Sequence, residues 1–498
     1  MWRFNHALIN RNKMKGRIVI FYVFSYLPAL IYSGKIWWIT DLHFDINGDL
    51  LPSLPVCAWT PPSLFHSGLQ MMSEEEPNPD FIIISGDFIH IPGRSGTDEL
   101  SVKNILATIQ TVTDLVSEKF PDVPILPCIG NHEYSPSKNW PDDKWSQWLY
   151  QPLSKMWGKW LPQNSLEVFS KHGYYTTVYD NGLRVIALNT NYWAWDHQIM
   201  TFDATQAGVQ FEWLERTLAS ARNLNQSVYI IGHHPMVGRY WGYDVDDLVP
   251  MYSLRYNTII QKYKGIIMGQ FSGHEHYNEF RVMRSCRFLP SPQPLNWQSC
   301  TGKPMAVVFV GQCMSNCRDP GVRLWMYNDR TFELKDYNQY GYSNTNKSWT
   351  LRYNFKKTYI DMPDMSASSF QAEIDRMSND NHRFTAFMKR RWEDSTDGGQ
   401  GGSCDDTCKR FQLCNLSFGA SISDFLRCTY YGYNKMVEQS IGKYSLNGDD
   451  AEPITAVLPG MKADVNSMED ELESNEISHP IEINNERDSP LINIQIIP

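Results

Sequence analysis

The chain has 498 residues, 42% of them hydrophobic and 13% aromatic, with a formal net charge of −10 at pH 7. That length can bury one large core or two domains, and the aromatic content excludes a chain that is disordered throughout. The acidity is local: from residue 441 onward 12 Asp and Glu stand against Lys443, Lys462 and Arg487, which leaves −1 for residues 1–440 and no basic surface for a nucleic-acid polymer.

In chain order, Arg3, Arg11, Lys13, Lys15 and Arg17 precede an apolar run over residues 18–32 that ends in Ser33-Gly34. Those 15 mostly apolar residues, interrupted by Pro28, are short for a membrane span and fit the hydrophobic region of a secretory signal over residues 1–34. An uncleaved anchor is the alternative that the long basic leader keeps open. Residues 35–41 read as the first core strand of a domain over residues 35–360. A proline-rich loop over residues 52–62 and the turn Glu74-Glu75-Glu76-Pro77 lead to a buried-type strand, Phe81-Ile82-Ile83-Ile84. Residues 100–120 place Val102, Ile105, Ile109, Val112 and Val116 at helical spacing before the apolar Ile125-Leu126-Pro127-Cys128-Ile129, the grammar of a βαβ unit. Trp140, Trp145, Trp148, Trp157 and Trp160 follow; helix packing is the plain reading and an aromatic wall beside a substrate the sharper one.

Residues 173–177 and 183–190 read as paired strands of a second sheet layer. An amphipathic helix over residues 210–218, with Phe211, Leu214 and Leu218 on one face, leads to the strand Val228-Tyr229-Ile230-Ile231. Beyond Arg281, residues 306–310, 321–328 and 353–362 read as strands that complete the second sheet, and residues 366–392 as helical. A linker over residues 398–403 precedes a cysteine-rich segment in a helical subdomain spanning residues 361–440. The tail over residues 441–498 has no aromatic residue after Asn447 and reads as disordered.

Five of the apolar runs end in the same kind of chemistry. They close on Asp41-Leu42-His43, Gly86-Asp87, Gly130-Asn131-His132-Glu133, Gly232-His233-His234 and Gly273-His274-Glu275-His276. Each motif alone is weak, since a histidine-bearing loop is more often solvated than metal-binding. Together they put carboxylate, imidazole and amide donors at five strand ends, a set that suits divalent ions able to generate a hydroxide nucleophile.

In this order the set resembles the calcineurin-like metallophosphoesterase superfamily. A narrower resemblance, to the acid sphingomyelinase-like phosphodiesterases, rests on the stretch from Gly269 to Phe280, on Leu188-Asn189-Thr190-Asn191, on Gln210-Phe211-Glu212-Trp213-Leu214 and on the cysteine-rich C-terminal segment. The resemblance implies an α/β fold: a two-sheet β-sandwich flanked by helices, with a small disulfide-rich helical cap. It implies two divalent ions, zinc by expectation, with Asp41, His43 and His276 on one, Asn131, His233 and His274 on the other, and Asp87 shared. His132 is expected off the metals, acting on the phosphoryl or the leaving oxygen. The family pattern has a substrate-contacting histidine four residues after the bridging aspartate; here His90 follows Asp87 by three. His234 is expected behind the ligands, and Glu133 and Asp45 as hydrogen-bond acceptors that orient them.

The resemblance also implies the disulfides Cys404–Cys408 and Cys414–Cys428, which suit an exported protein. It leaves open the pairing of Cys57, Cys128, Cys286, Cys300, Cys313 and Cys317, with Cys128 a candidate core thiol. Sequons at Asn225, Asn346 and Asn415, each in polar context, agree with secretion; the lysosome is the alternative compartment. The expected reaction is hydroxide attack on soluble phosphodiesters or pyrophosphates of nucleotide or choline-diphosphonucleotide type by a monomer that needs no membrane contact. The first metal motif starts seven residues after Gly34, so the saposin-type module of acid sphingomyelinases proper is not expected here. Sphingomyelin hydrolysis is the first alternative and a non-catalytic binding protein the second.

Overall fold

The computed structural model describes residues 33–48, 59–90, 99–134, 146–180, 182–194, 204–237, 239–241, 244–246, 249–288, 298–315, 320–392 and 404–442. The expected signal up to residue 32, the linker over residues 398–403, the acidic tail from residue 443 onward, Trp140, Trp145, Cys57 and Cys317 lie outside these residues, while residues 441–442 of the expected tail end a helix.

β1 (Ser33–Ile39), α1 (Pro62–Glu75), β2 (Phe81–Ser85), α2 (Glu99–Lys119) and β3 (Ile125–Cys128) come first. The helices α3 (Gln147–Met156) and α4 (Gln163–His172) then lead to β4 (Tyr175–Tyr179) and β5 (Leu183–Ala187). Next are α5 (Ala204–Asn223), β6 (Ser227–Ile231), a ribbon of β7 (Arg239–Trp241) and β8 (Asp244–Asp246), α6 (Pro250–Tyr263) and β9 (Ile267–Ser272). β10 (Glu279–Arg284), a ribbon of β11 (Arg287–Phe288) and β12 (Gln298–Ser299), and β13 (Pro304–Val310) precede a meander of β14 (Gly321–Asn328), β15 (Leu334–Ser343) and β16 (Ser348–Asn354). Six helices end the described chain: α7 (Phe355–Thr358), α8 (Ala367–Asn379), α9 (Asn381–Trp392), α10 (Asp406–Phe418), α11 (Ile422–Tyr431) and α12 (Tyr433–Gly442).

Two six-stranded sheets result, ordered β16-β15-β14-β1-β2-β3 and β10-β13-β9-β6-β5-β4. Within the first, β1, β2 and β3 run parallel; within the second, β5, β6, β9 and β13 do. Their strands are apolar on both faces, as parallel strands covered on both sides must be. Aromatic rings fill the space between the sheets. Trp38 of β1 meets Phe271 of β9 at 5.4 Å between centroids, Trp325 of β14 meets Phe309 of β13 at 4.7 Å, and Phe271 and Trp325 stand 5.7 Å apart. The outer face of the second sheet is covered by α5 and α6, which bury Phe211, Leu214, Leu218, Ile259 and Ile260 against Ile186, Val228 and Ile230. No helix among the described residues is long and apolar enough to cross a membrane.

The segment after Arg281 differs from expectation. β13 joins the second sheet, whereas β14, β15 and β16 extend the first beyond β1. Residues 353–362 are not a strand: β16 ends at Asn354, whose side chain accepts the Lys357 N–H at 3.0 Å and starts α7. β15 has no counterpart in the sequence reading because its residues are polar and tyrosine-rich. The structure buries that polarity in pairs, with Arg323 Nε donating to Gln339 Oε1 at 2.9 Å.

The disulfides Cys404–Cys408 and Cys414–Cys428 are present, together with Cys286–Cys300, which sequence left open. Cys128 and Cys313 are buried free thiols, and burial pushes the Cys128 thiol far above its ordinary pKa. Asn225 and Asn346 are exposed. Asn415 differs from expectation: it lies within α10 at 5% exposure, not in a polar turn.

Candidate metal centre

β1, β2 and β3 in one sheet and β6 and β9 in the other present their C-terminal ends to one another, and the five motifs occupy the turns that follow. Backbone bonds stitch the turns together: Asp41 N–H to Gly86 O at 3.1 Å, His43 N–H to Asp87 O at 2.9 Å, and Gly273 N–H to His233 O at 2.9 Å. The glycines make this approach feasible. A Cβ on Gly130 would lie 2.1 Å from Asp87 Oδ1, and one on Gly86 would lie 2.7 Å from His233 Nδ1. Gly86 also needs its freedom for a φ of +93°.

The ligand candidates themselves are strained. Asp41, His43, Asp87, His274 and His276 have φ between +41° and +72°, and they are five of the nine non-glycine residues with positive φ among those described. Such conformations cost about 1–3 kcal/mol each and persist where surrounding structure over-determines them. Here that structure is visible. Asp41 accepts the His274 N–H at 2.9 and 3.0 Å, Asp87 accepts the His132 N–H at 2.9 Å, and Thr40 Oγ1 donates to Asp41 at 2.9 Å. Glu133, fully buried, accepts from Asp87 N at 3.0 Å, Phe88 N at 2.7 Å and Gly130 N, tying the β2 turn to the β3 turn.

Two groups of donor atoms form, each within 4.8 Å: Asp41, His43, Asp87 and His276, and Asp87, His233 and His274. Asp87 belongs to both. Asn131 adds an amide oxygen to the second, with Oδ1 2.9 Å from His233 Nε2 and 2.9 Å from His274 Nδ1. The donor chemistry fits cations. His233 Nδ1 faces the Ser85 carbonyl at 2.9 Å and must carry a proton there, so its Nε2 turns a lone pair toward Asp87 Oδ2 at 3.2 Å and Asn131 Oδ1. Three acceptors then converge with no donor among them unless a proton or a metal ion supplies the charge. Likewise His43 Nε2 and His276 Nε2 confront each other at 3.0 Å.

The electrostatics say the same. Burial opposes the charged form of Asp87, yet His233 and His132 beside it hold its carboxyl well below the usual range. Burial also disfavours the charged imidazole of His233, but Asp87 and Asp41 push it up to about 9. His276 is raised against burial by Asp41, while His43 is lowered, chiefly by burial. The cluster is thus an anionic well that draws cations.

His132 belongs to neither group. Its Nε2 lies 4.0 Å from Asp87 Oδ2, its ring is edge-on to His43 at 4.6 Å between centroids, and its side chain is 28% exposed. His90 also stands apart. Its N–H bonds Phe44 O at 3.2 Å, and its ring lies 5.4 Å from that of Trp59. His234 is buried behind the centre, 4.1 Å from the His274 ring and 3.3 Å from Asn191 Oδ1. Asp45 does not orient a ligand: its Oδ1 caps its own loop, accepting the Asn47 N–H at 2.9 Å.

Sequence reasoning missed several supports. Asn191 Nδ2 donates to Gly130 O at 3.2 Å and so fastens the Asn131 turn, and Gln210 exchanges two bonds with the Asn189 backbone at 2.8 and 2.9 Å. The buried Cys313 thiol is among the groups near His276 that raise its imidazole pKa. The signal for the first two was the match of both stretches to one family pattern; for Cys313 there was none.

Comparison with known proteins agrees. Residues 34–278 match the calcineurin-like phosphoesterase family, and residues 298–434 match the acid sphingomyelin phosphodiesterase C-terminal region. The chain belongs to the acid sphingomyelinase-like phosphodiesterases. It is 27% identical over 432 residues to the human acid sphingomyelinase-like phosphodiesterase 3b, covering 80% of this chain and 90% of that one. It is 28% identical over 445 residues to sphingomyelinase phosphodiesterase C of Dictyostelium discoideum, covering 82% and 96%. With the human cyclic GMP-AMP phosphodiesterase SMPDL3A it shares 27% over 450 residues, covering 82% and 92%. As a member of this family the chain is a metal-dependent phosphodiester hydrolase, with a cluster for two divalent ions.

Proposed function

We propose that this phosphodiesterase is secreted, uses zinc, and hydrolyses soluble nucleotide-type phosphodiesters or pyrophosphates. The observation that carries the reading is the pair of ligand groups sharing Asp87, with His132 beside them and open to solvent. Two divalent ions bound there supply Lewis acidity to phosphoryl oxygens and acidify a water. Asp41, His43 and His276 would hold one, Asn131, His233 and His274 the other, and Asp87 both. The neutral amide of Asn131 limits the negative charge donated to them. Four imidazoles among seven ligands favour a borderline ion such as zinc over magnesium or calcium.

His132 acts outside the ligand set. Its Nε2, 4.0 Å from Asp87 Oδ2 and outside both ligand groups, is placed to protonate the leaving oxygen of the ester. His90 and Trp59 flank the His43 turn, since the N–H of neighbouring Thr60 bonds His43 O at 2.9 Å. Their rings offer a surface on which a base can stack, which supports a nucleotide substrate, as does the name of the SMPDL3A relatives. The names of the other relatives support the alternative, sphingomyelin hydrolysis. Disulfides and two exposed sequons support an oxidising, glycosylating compartment.

The test is a comparison of turnover on a cyclic dinucleotide, a nucleoside triphosphate, a choline diphosphonucleotide and sphingomyelin liposomes, with and without zinc, at acid and neutral pH. Faster cleavage of the liposomal lipid would promote the sphingomyelinase alternative. No turnover on any of them, with two ions bound, would leave the binding-protein reading.

A further inference from the structure

The loop that brings His274 and His276 to the centre is held by a helix far along the chain, from a residue 112 positions beyond Glu279. Both ligands have positive φ, +72° and +60°, so the turn does not hold its shape by local preference alone. The three residues that follow it, Tyr277, Asn278 and Glu279, are all met by one side chain and its own backbone. Arg391, in the last turn of α9 and 2% exposed, donates from Nε to Glu279 Oε2. Its carbonyl accepts the Asn278 N–H at 3.3 Å, and its guanidinium carbon lies 4.1 Å from the centre of the Tyr277 ring. The contact then runs back between the two ligands. Glu279 Oε1 accepts from Arg281 Nε at 2.7 Å, and Arg281 also pairs with Glu275, the residue between His274 and His276. All four charged groups are buried.

We propose that Arg391 is a positioning residue for the metal centre: through Glu279 and the backbone of Asn278 it sets the course of the chain after His276, and so holds the His274–His276 turn in its left-handed form. The inference rests on the metal-centre reading above. A buried ion pair is a poor source of net stability but a strong constraint on geometry, because removing one partner leaves the other charged and unsolvated. The electrons and the metal stay with the ligands; Arg391 contributes shape.

The experiment titrates cobalt(II) into the metal-stripped, full-length protein and follows its absorption spectrum, with the melting temperature measured in parallel. Arg391→Met is expected to bind at least one ion about 10–100-fold more weakly and with an altered ligand-field spectrum, the range typical of residues that support metal ligands. Arg391→Lys, which keeps charge without the planar fork, is expected to be intermediate. Arg383→Met is the control, since Arg383 lies in α9 like Arg391 but pairs with Glu373 of α8 and with Asp361, outside the ligand loop. It is expected to lose melting temperature while keeping wild-type cobalt affinity. If Arg391→Met is folded and binds both ions as the wild type does, the proposal fails, whatever its melting temperature. If that variant does not fold, Arg391→Lys decides, and wild-type affinity in it overturns the proposal. Should the wild type itself bind no ion, the metal-centre reading fails instead.

Discussion

His132 sits next in sequence to a ligand, yet its side chain approaches Asp87 only to 4.0 Å and opens to solvent. Replacing it with alanine is therefore expected to leave both ions bound while turnover falls by roughly 10²–10⁴-fold, the range for a lost general acid. Elemental analysis beside kinetics checks this, and an ion missing from the variant would make His132 a ligand. Glu133 is the opposite case, a buried carboxylate with no expected contact to substrate. It accepts three backbone N–H groups from two turns, so Glu133→Ala leaves buried donors unpaired, at about 1–3 kcal/mol apiece. Urea denaturation is expected to show a loss of that order, and an unchanged midpoint would mean that the turns hold without it. The identity of the ligands was legible in the sequence because each donor follows an apolar run. Their conformation was not: Asp and His tolerate a positive φ without requiring one, and the bonds that hold it here come from residues distant in sequence, such as the His274 N–H to Asp41 and the His132 N–H to Asp87.

At the scale of elements, the strands that carry ligands were the readable ones, being continuously apolar and closed by small residues. What escaped was β15, where buried polar residues such as Gln339 are satisfied by partners distant in sequence, and the division of β13 from β14, β15 and β16, which only pairing decides. The same close pairing sets the tolerance of the turns. Gly130→Ala would place its Cβ 2.4 Å from the Asp87 nitrogen as well as against its carboxylate. Overpacking of this kind costs about 1–3 kcal/mol or more, and here the β2 and β3 turns would have to separate. The variant is expected to lose metal along with stability; two ions retained at wild-type affinity would contradict the close approach.

For the molecule as a whole, acid is the informative stress. Burial would raise the Glu279 carboxyl, but Arg391 and Arg281 bring it down to about 2. A group depressed in this way stabilises the fold fully above its unfolded pKa, and that contribution disappears as pH falls from about 4.5 toward 2. Metal-stripped wild type is thus expected to melt above Glu279→Gln at pH 6, with the gap narrowing by pH 3. A constant gap would show that the charge is irrelevant and only the shape matters. The acidic segment after Asn447 should matter little to the same measurement. Its composition is too poor in apolar side chains to contribute a core, so a chain ending there is expected to keep its melting temperature and turnover. A fall of several degrees would show that the segment docks. Finally, the left-handed backbone at five ligand positions acts as a filter on descent. The residues that tolerate it best are Gly, Asn, Asp and His, and three of those four carry an atom able to bind a cation. Drift at these sites is steered by sterics toward other ligands, so a lineage released from selection for catalysis would go on looking like a metalloprotein well after it had stopped turning over. For anyone wishing to retune the preferred ion, the same filter reduces a library at these five positions to a handful of admissible letters.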